Sequence, residues 1–204
     1  IGVIYHTKRF LLLAFVLLSF NINAQDVDAQ DFDGANCTSI MVGKNATTDG
    51  SVITSHTCDG MYRTWLRWEK AQEHEKGATQ KIYRGSMHTR NANETKGLEL
   101  AGEIPQAAYT YSYLNTAYPC LNEKQLAIGE TTFSGPDTLV NPEGLFMIED
   151  LERIALQRCD NARDAIRLIA ELIKEYGYGD GGECITIADP NEVWCMEIMG
   201  EGKK

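Results

Sequence analysis

The chain has 204 residues, of which 29 are acidic and 19 are basic, and its formal net charge at pH 7 is −10. This acidic balance argues against binding to nucleic acid and against binding to an anionic membrane surface. The length suffices for one hydrophobic core or for part of a larger one.

The N-terminal segment has the three features of a secretory signal peptide. Lys8 and Arg9 give a positive start, residues 10–20 form an apolar run, and Ala24 offers a small residue at a cleavage point. The apolar run is shorter than the ~20 residues that span a bilayer. We therefore expect residues 1–24 to be a signal peptide, the protein to be secreted or periplasmic in a bacterium, and the processed chain to lack a membrane segment.

A β-hairpin is predicted next. Residues 25–36 are acidic and polar, which favours an unstructured spacer or propeptide. From Cys37 onward, the β-branched runs CTSIMVG and SVITSHT enclose KNATTDG, which is rich in turn-forming residues. Further strands are predicted at RTWLRWEKA, AAYTYSYLN and QLAIGETTF, whereas residues 72–97 look polar and irregular apart from KIYR.

The second half of the chain changes to helical periodicity. Helices are predicted within EGLFMIEDLERIALQRC and NARDAIRLIAELIKEYG. Asp160 or Asn161 can cap the second helix and Gly177 can end it. ECITIADPNEVWCMEIMG then predicts two strands around an Asp-Pro-Asn turn. Strands followed by helices and again by strands indicate an α+β fold. One face of the second helix should be core: Ala162, Ala165, Ile166, Ile169, Leu172 and Ile173.

The cysteines and histidines do not form a metal-site pattern. The chain has six cysteines and four histidines, but no CxxC spacing and no His/Cys cluster typical of zinc sites, so we expect neither a metal nor another cofactor. In a secreted protein the cysteines suggest disulfides. Cys184 and Cys195, which face each other across the last predicted hairpin, are the best candidates.

Cys37 is the candidate nucleophile. A thiol has a pKa of ~8.5, and an α-amino group has a pKa of ~7.7. If the residues before Cys37 are removed, its own amine can take the thiol proton and later give it to a leaving group. This chemistry needs no histidine, and the sequence has no persuasive Cys/His pair. The alternative from the residues alone is a buried strand cysteine.

Three motifs in the same order resemble the PepD-like cysteine dipeptidases, a family of N-terminal-nucleophile hydrolases. The first is Cys37-Thr38 opening a strand, followed by Asp49-Gly50-Ser51 and a strand ending at Asp59. The second is LNEKQLAIGETTFSG, residues 121–135, and the third is GECITIADPNEVWCMEIMG, residues 182–200. Chains of this family are much longer. We therefore expect residues 37–204 to be the N-terminal part of a dipeptidase domain that is truncated at its C-terminus.

The resemblance implies a four-layer αββα sandwich and the hydrolysis of dipeptides through an acyl-enzyme. It implies that Cys37 is the nucleophile, that Asp59 holds its amine, and that Asn122 donates a side-chain hydrogen bond to the oxyanion. One such donor contributes ~3 kcal/mol to lowering the barrier. Related hydrolases often have a supporting arginine where this chain has His56, and Arg63 or Arg67 could substitute for it.

Two other functions remain open at this stage. An acylase on the same fold could cleave a non-peptide amide, as bile-salt and penicillin amidases do, because fold does not fix function. A secreted binding module without catalysis would use Cys37 only structurally. Ordinary structural roles also remain open for Asp59, as a turn residue before Gly60, and for Asn122, as a turn or cap residue.

Overall fold

The computed structural model describes residues 37–60, 62, 65–133 and 135–200. The predicted signal peptide (1–24), the predicted spacer (25–36) and Arg63 lie outside the described residues. Within the described ranges, we find no helix with the length and apolar character needed to cross a membrane.

The predicted N-terminal hairpin is confirmed. Strands β1 (Thr38–Val42) and β2 (Ile53–Thr57) pair antiparallel. In the turn between them, the Asp49 carboxylate accepts a hydrogen bond from the Ser51 N–H at 3.0 Å. Gly50 has a φ of 77°, a left-handed conformation that glycine adopts without steric cost. The turn chemistry of TTDGS therefore sets the reversal of the chain.

Further strands follow along the described chain. They are β3 (Arg67–Glu69), β4 (Gln72–Glu73), β5 (Thr79–Tyr83), β6 (Leu100–Pro105), β7 (Tyr109–Thr110), β8 (Tyr113–Asn115), β9 (Leu121–Asn122), β10 (Ala127–Thr132), β11 (Glu183–Ala188) and β12 (Val193–Ile198). Six of them form one antiparallel sheet in the order β12-β11-β10-β9-β8-β3, while β4 pairs with β7 and β5 with β6.

Both predicted helices are confirmed, as α1 (Ile148–Arg158) and α2 (Ala162–Tyr176). The Asn161 side chain caps α2 by accepting from the Asp164 N–H at 2.9 Å. Gly177, with a φ of 79°, ends the helix and donates its N–H to the Ile173 carbonyl. The predicted apolar face of α2 lies in the core, with four members buried and Ile166 and Ile173 partly buried against them.

The helices and the hairpin lie on opposite faces of the six-stranded sheet. Side chains alternate along a strand, and Ile128 and Ile185 point into the core formed with the helices. Gly129 and Thr186 lie opposite each other in the register and face the hairpin, where the Thr186 hydroxyl is 2.7 Å from that of Thr54. The α+β class is thus confirmed, with helices, sheet and hairpin as successive layers. A second helix layer is not among the elements of the described residues.

Two strand predictions need correction. AAYTYSYLN was expected to be one strand, but β7 and β8 belong to different sheets. The break occurs because the Tyr111 N–H donates to the Gln157 carbonyl near the end of α1, at 2.8 Å, instead of to a neighbouring strand. The strand β6 was not predicted at all. Its five-residue partner β5 extends the expected KIYR strand toward the N-terminus.

Candidate active site

Three side chains meet at one place: Cys37 directly before β1, Cys58 directly after β2, and Glu130 inside β10. In the β1–β2 register Thr38 lies opposite Thr57, so one further step puts Cys37 opposite Cys58. The Cys37 Sγ lies 4.0 Å from Oε1 of Glu130 in β10. The two sulfurs and a Glu130 carboxylate oxygen all lie within 4.8 Å of one another. We refer to these three residues as the Cys37 cluster.

The two thiols of the Cys37 cluster differ in their surroundings. Both are half-buried, and Glu130 is fully buried. Burial raises the pKa of the Cys58 thiol, and the Glu130 carboxylate raises it further. Because the thiolate is the attacking species, a thiol with a raised pKa is a poor nucleophile. Cys58 is therefore the weaker candidate, and Cys37 remains the candidate nucleophile.

Behind Glu130 lies a group of buried carboxyls. Burial raises the pKa of Glu183 to about 9, with the Glu130 charge adding to the rise, and it raises the pKa of Glu149 to about 8. Burial also raises the pKa of Glu152, which lies within electrostatic reach of Glu130. Among the described residues, no hydrogen-bond partner reaches the carboxyl oxygens of Glu149 or Glu152. Burial therefore favours the protonated form of each of these carboxyls.

His56 lies next to the Cys37 cluster as a neutral side chain. Its ring packs against Gly129, where an added Cβ would fall 2.5 Å from Nδ1. Burial lowers the pKa of His56, and the attraction of Glu130 only partly opposes this. The imidazole is thus uncharged at pH 7 and cannot replace an arginine as a cation. Arg67 is not a substitute either, because its Nε lies 3.3 Å from a Glu69 oxygen in β3.

Asp59 is not part of the Cys37 cluster. It is exposed, directly after Cys58, and no hydrogen bond or ion pair of the described residues includes its carboxylate. In this structure, Glu130 and not Asp59 is the carboxylate beside the Cys37 sulfur.

Asn122 has a structural role in this arrangement. Its buried Nδ2 donates to the Leu156 and Cys159 carbonyls at the end of α1, both at 2.8 Å. Its Oδ1 accepts from the Lys124 and Leu126 N–H groups, both at 3.0 Å. Because both amide hydrogens are already donated, none is left for an oxyanion. The cap alternative describes Asn122 better than the oxyanion prediction.

Two cavities adjoin in this part of the molecule. One, of about 350 Å³, is lined by His56, Cys58 and the aromatic residues Tyr62, Trp65 and Tyr118, together with Leu66, Thr116 and Ala117. The other, of about 320 Å³, contains the Glu69 carboxylate and shares Trp65, Thr116 and Ala117 with the first. Their sizes are typical of small-ligand sites, and the first opens beside the thiol of Cys58.

Cys184 and Cys195 lie close together but not directly opposite. The register pairs Cys184 with Glu197 and Thr186 with Cys195, so the two cysteines are diagonal neighbours on one face. Their sulfurs are 3.1 Å apart and both thiols are free.

Sequence reasoning missed Cys58 and Glu130. Cys58 had a signal, because strand alternation puts it on the same face as His56, and the hairpin register puts it opposite Cys37. Glu130 lies within the GETT run of the second motif. Nothing local marks it as a neighbour of Cys37, which is distant in the sequence.

Comparison with known proteins gives the family. The model of peptidase family C69 matches residues 36–204. The chain belongs to peptidase family C69. This membership confirms the resemblance to the PepD-like cysteine dipeptidases and assigns the chain to a family of peptidases.

Curated relatives of this chain carry dipeptidase names. A probable dipeptidase of Latilactobacillus sakei is 28% identical over 179 residues, covering 80% of this chain and 35% of the relative. Probable dipeptidase B of Streptococcus pyogenes serotype M1 is 24% identical over 178 residues, covering 80% and 33%. Dipeptidase A of Lactobacillus helveticus is 22% identical over 174 residues, covering 80% and 36%. The chain thus spans about a third of the length of these relatives.

Proposed function

We propose that this chain carries the nucleophile of a secreted dipeptidase, which hydrolyses dipeptides through an acyl-enzyme on Cys37. One observation carries the proposal: Cys37 is a half-buried thiol beside a buried carboxylate, and its neighbour Cys58 lines a ligand-sized cavity. The C69 match begins one residue before Cys37, and the relatives are dipeptidases by name.

The proposed reaction starts when the chain is cut between Asn36 and Cys37. The freed α-amine, in its neutral form, accepts the proton of the Cys37 thiol. The thiolate attacks the carbonyl carbon of the dipeptide, the C–N bond breaks, and the leaving amine takes the proton back from the ammonium. Water then hydrolyses the thioester, which releases the second amino acid and restores the thiol.

Glu130 adds a counter-charge to this scheme. The amine and the sulfur of Cys37 are separated only by Cα and Cβ, so a carboxylate 4.0 Å from the sulfur also stabilises an ammonium on the same residue. In a buried setting such a pair is stronger than in water. A role for Asp59 beside the freed amine stays a prediction, which Asp59→Asn tests.

The processing and the full architecture belong to the same proposal. Residues 1–24 would direct secretion, and residues 25–36 would be removed to expose Cys37. The four-layer αββα sandwich of N-terminal-nucleophile hydrolases is supported by the order of helices, six-stranded sheet and hairpin.

The decisive experiment compares two cysteine variants in the protein as produced, with any sequence beyond this chain retained. Cys37→Ser should abolish turnover of a dipeptide panel and preserve the circular dichroism spectrum and the melting temperature. Cys195→Ser, which removes an exposed thiol outside the Cys37 cluster, should keep normal turnover. Near-normal rates in Cys37→Ser would assign the nucleophile to another residue.

The amino terminus of the active enzyme provides an independent test. Intact-mass measurement should find Cys37 as the first residue, and acetylation of its amine with the sulfur left free should stop turnover. An active preparation that starts at Gln25, or full activity with the amine blocked, would contradict the mechanism. Turnover of conjugated bile salts but not of dipeptides would favour the acylase alternative.

A further inference from the structure

We propose that Cys37, Cys58 and Glu130 form a binding site for a thiophilic divalent cation, with Zn²⁺ as the best fit. The site consists of two thiolates and one carboxylate, and it leaves a fourth position open. It does not depend on the catalytic role of Cys37.

The geometry of the Cys37 cluster suits zinc. Zinc binds sulfur at about 2.3 Å and oxygen at about 2.1 Å, so a sulfur and an oxygen ligand of a tetrahedral zinc lie about 3.6 Å apart. The Cys37 Sγ and Glu130 Oε1 are 4.0 Å apart, and all three donor atoms lie within 4.8 Å of one another. Small side-chain rotations would therefore complete the coordination.

The backbone holds these ligands in place. Cys37 and Cys58 continue the β1–β2 register by one pair, and cross-strand partners have Cβ atoms about 4.5–5.5 Å apart. Glu130 comes from the interior of β10, which pairs along its whole length with β11. The donor atoms thus come from β10 and from the residues that directly flank the paired strands β1 and β2.

The charge around Glu130 also favours a cation. Its carboxylate is fully buried, yet no ion pair of the described residues includes it. Two of its side-chain contacts are long, 4.0 Å to the Cys37 sulfur and 3.5 Å to the Thr132 hydroxyl. A divalent cation would offset the negative charge of this buried carboxylate, which lies close to two thiols.

Binding of the metal ion would release a defined number of protons. Each thiol gives its proton to the solvent as its sulfur joins the metal, so one Zn²⁺ displaces two protons and no electron is transferred. The fourth position takes water. In the processed protein of the proposed function, it can take the freed α-amine of Cys37 instead.

The test uses reduced protein and Co²⁺ as a spectroscopic probe, with Zn²⁺ as competitor. One Co²⁺ per chain should bind with thiolate-to-cobalt charge-transfer absorption, and Zn²⁺ should remove the signal. Cys58→Ser and Glu130→Gln should each weaken Co²⁺ binding at least tenfold, whereas the matched variants Cys195→Ser and Glu197→Gln should not. Unchanged binding in Cys58→Ser, or a signal that depends on Cys195, would overturn the site.

A second measurement needs no variant and therefore does not depend on variant folding. Zn²⁺ should protect Cys37 and Cys58 of the unaltered protein from alkylation by iodoacetamide, with the modified sites mapped by mass spectrometry. Protection of neither residue, or of Cys184 and Cys195 alone, would refute the assignment.

Inhibition is the one consequence that rests on the proposed function. Zn²⁺ on the Cys37 sulfur should stop dipeptide turnover, and a chelator should restore it. Binding at this site without loss of turnover would leave the metal site intact and would remove Cys37 as nucleophile. The two proposals can therefore fail separately.

Discussion

The two faces of the six-stranded sheet are built from opposite chemistry. On the helix side, Ile128, Ile185 and Ile187 are buried in the core with α1 and α2. On the hairpin side, contacts run through hydroxyls and a histidine: Ser39 with Thr131, Thr54 with Thr186, and His56 against Gly129. The same strands thus supply a non-directional apolar interface and a directional polar one.

This difference separates stability from chemistry. Apolar burial contributes free energy roughly in proportion to area, so the helix side should carry most of the stability. Hydrogen bonds contribute little net free energy but fix geometry. Cys37 and Cys58 flank the two strands of the hairpin, and the polar contacts of the hairpin position them beside Glu130. Substitutions on the two faces should therefore give effects of different size and kind.

The largest expected effect is on the helix side. Ile185→Ala removes a fully buried side chain and leaves a cavity, so the free energy of unfolding should fall by about 2–5 kcal/mol. Urea denaturation measures this. Ile40→Ala is the control on the hairpin, where the side chain is 56% exposed, and it should change little. Equal losses in both variants would refute the division between the faces.

Asn122→Ala should rank next, because it removes four hydrogen bonds between β9, its turn and the end of α1. Leaving buried carbonyls unsatisfied costs about 1–3 kcal/mol, which would lower the melting temperature. Turnover of the folded variant should stay close to normal. A drop in kcat by about a hundredfold at unchanged stability would restore the oxyanion role instead.

The sequence predicted local structure well and the site only in part. TTDGS signals a hairpin because its residues form the turn themselves, and α2 has a cap, an end and an apolar stripe within one stretch. The meeting of Cys37 with Glu130 depends on how the hairpin packs on β10, which no local pattern contains. The two-residue strand β7 was merged with β8 because a backbone bond to α1 separates them.

The hydrogen bonds of Asn122 depend on tertiary packing in a similar way. The order of the motifs predicted that Asn122 lies where a strand begins, and it does lie in β9. The role of its side-chain amide, however, depends on which backbone groups lie within hydrogen-bond distance. The carbonyls of Leu156 and Cys159 come from a helix end about 35 residues later in the chain. Tertiary packing, and not the Asn-Glu dipeptide, therefore decides its hydrogen bonds.

The buried carboxyls of the helix side predict an unusual pH dependence. Folding raises the pKa of Glu149 to about 8 and of Glu183 to about 9, so between about pH 4.5 and 9 the folded state binds more protons than the unfolded state. The free energy of unfolding should therefore fall as the pH rises through this window, by at most about 1.4 kcal/mol per pH unit for each group.

Denaturation of Glu149→Gln across this pH range isolates one group. The variant should lose part of the slope and gain stability at pH 9 relative to the unaltered protein. Glu143→Gln, at an exposed glutamate, should leave the slope unchanged. Stability that rises between pH 5 and 9 would mean that these carboxylates are paired with cations when the protein is folded.

The smallest expected effect on stability lies at the hairpin contact. Thr54→Val removes the hydroxyl that meets Thr186 at 2.7 Å, and the free energy of unfolding should fall by about 0.5–1.5 kcal/mol. Ser55→Ala, at the exposed neighbour in β2, should have almost no effect. The Thr54 contact holds β2, which Cys58 directly follows, so its loss should change the alkylation rates of Cys37 and Cys58 more than those of Cys184 and Cys195. A change confined to stability would mean that the hairpin position does not depend on its hydroxyls.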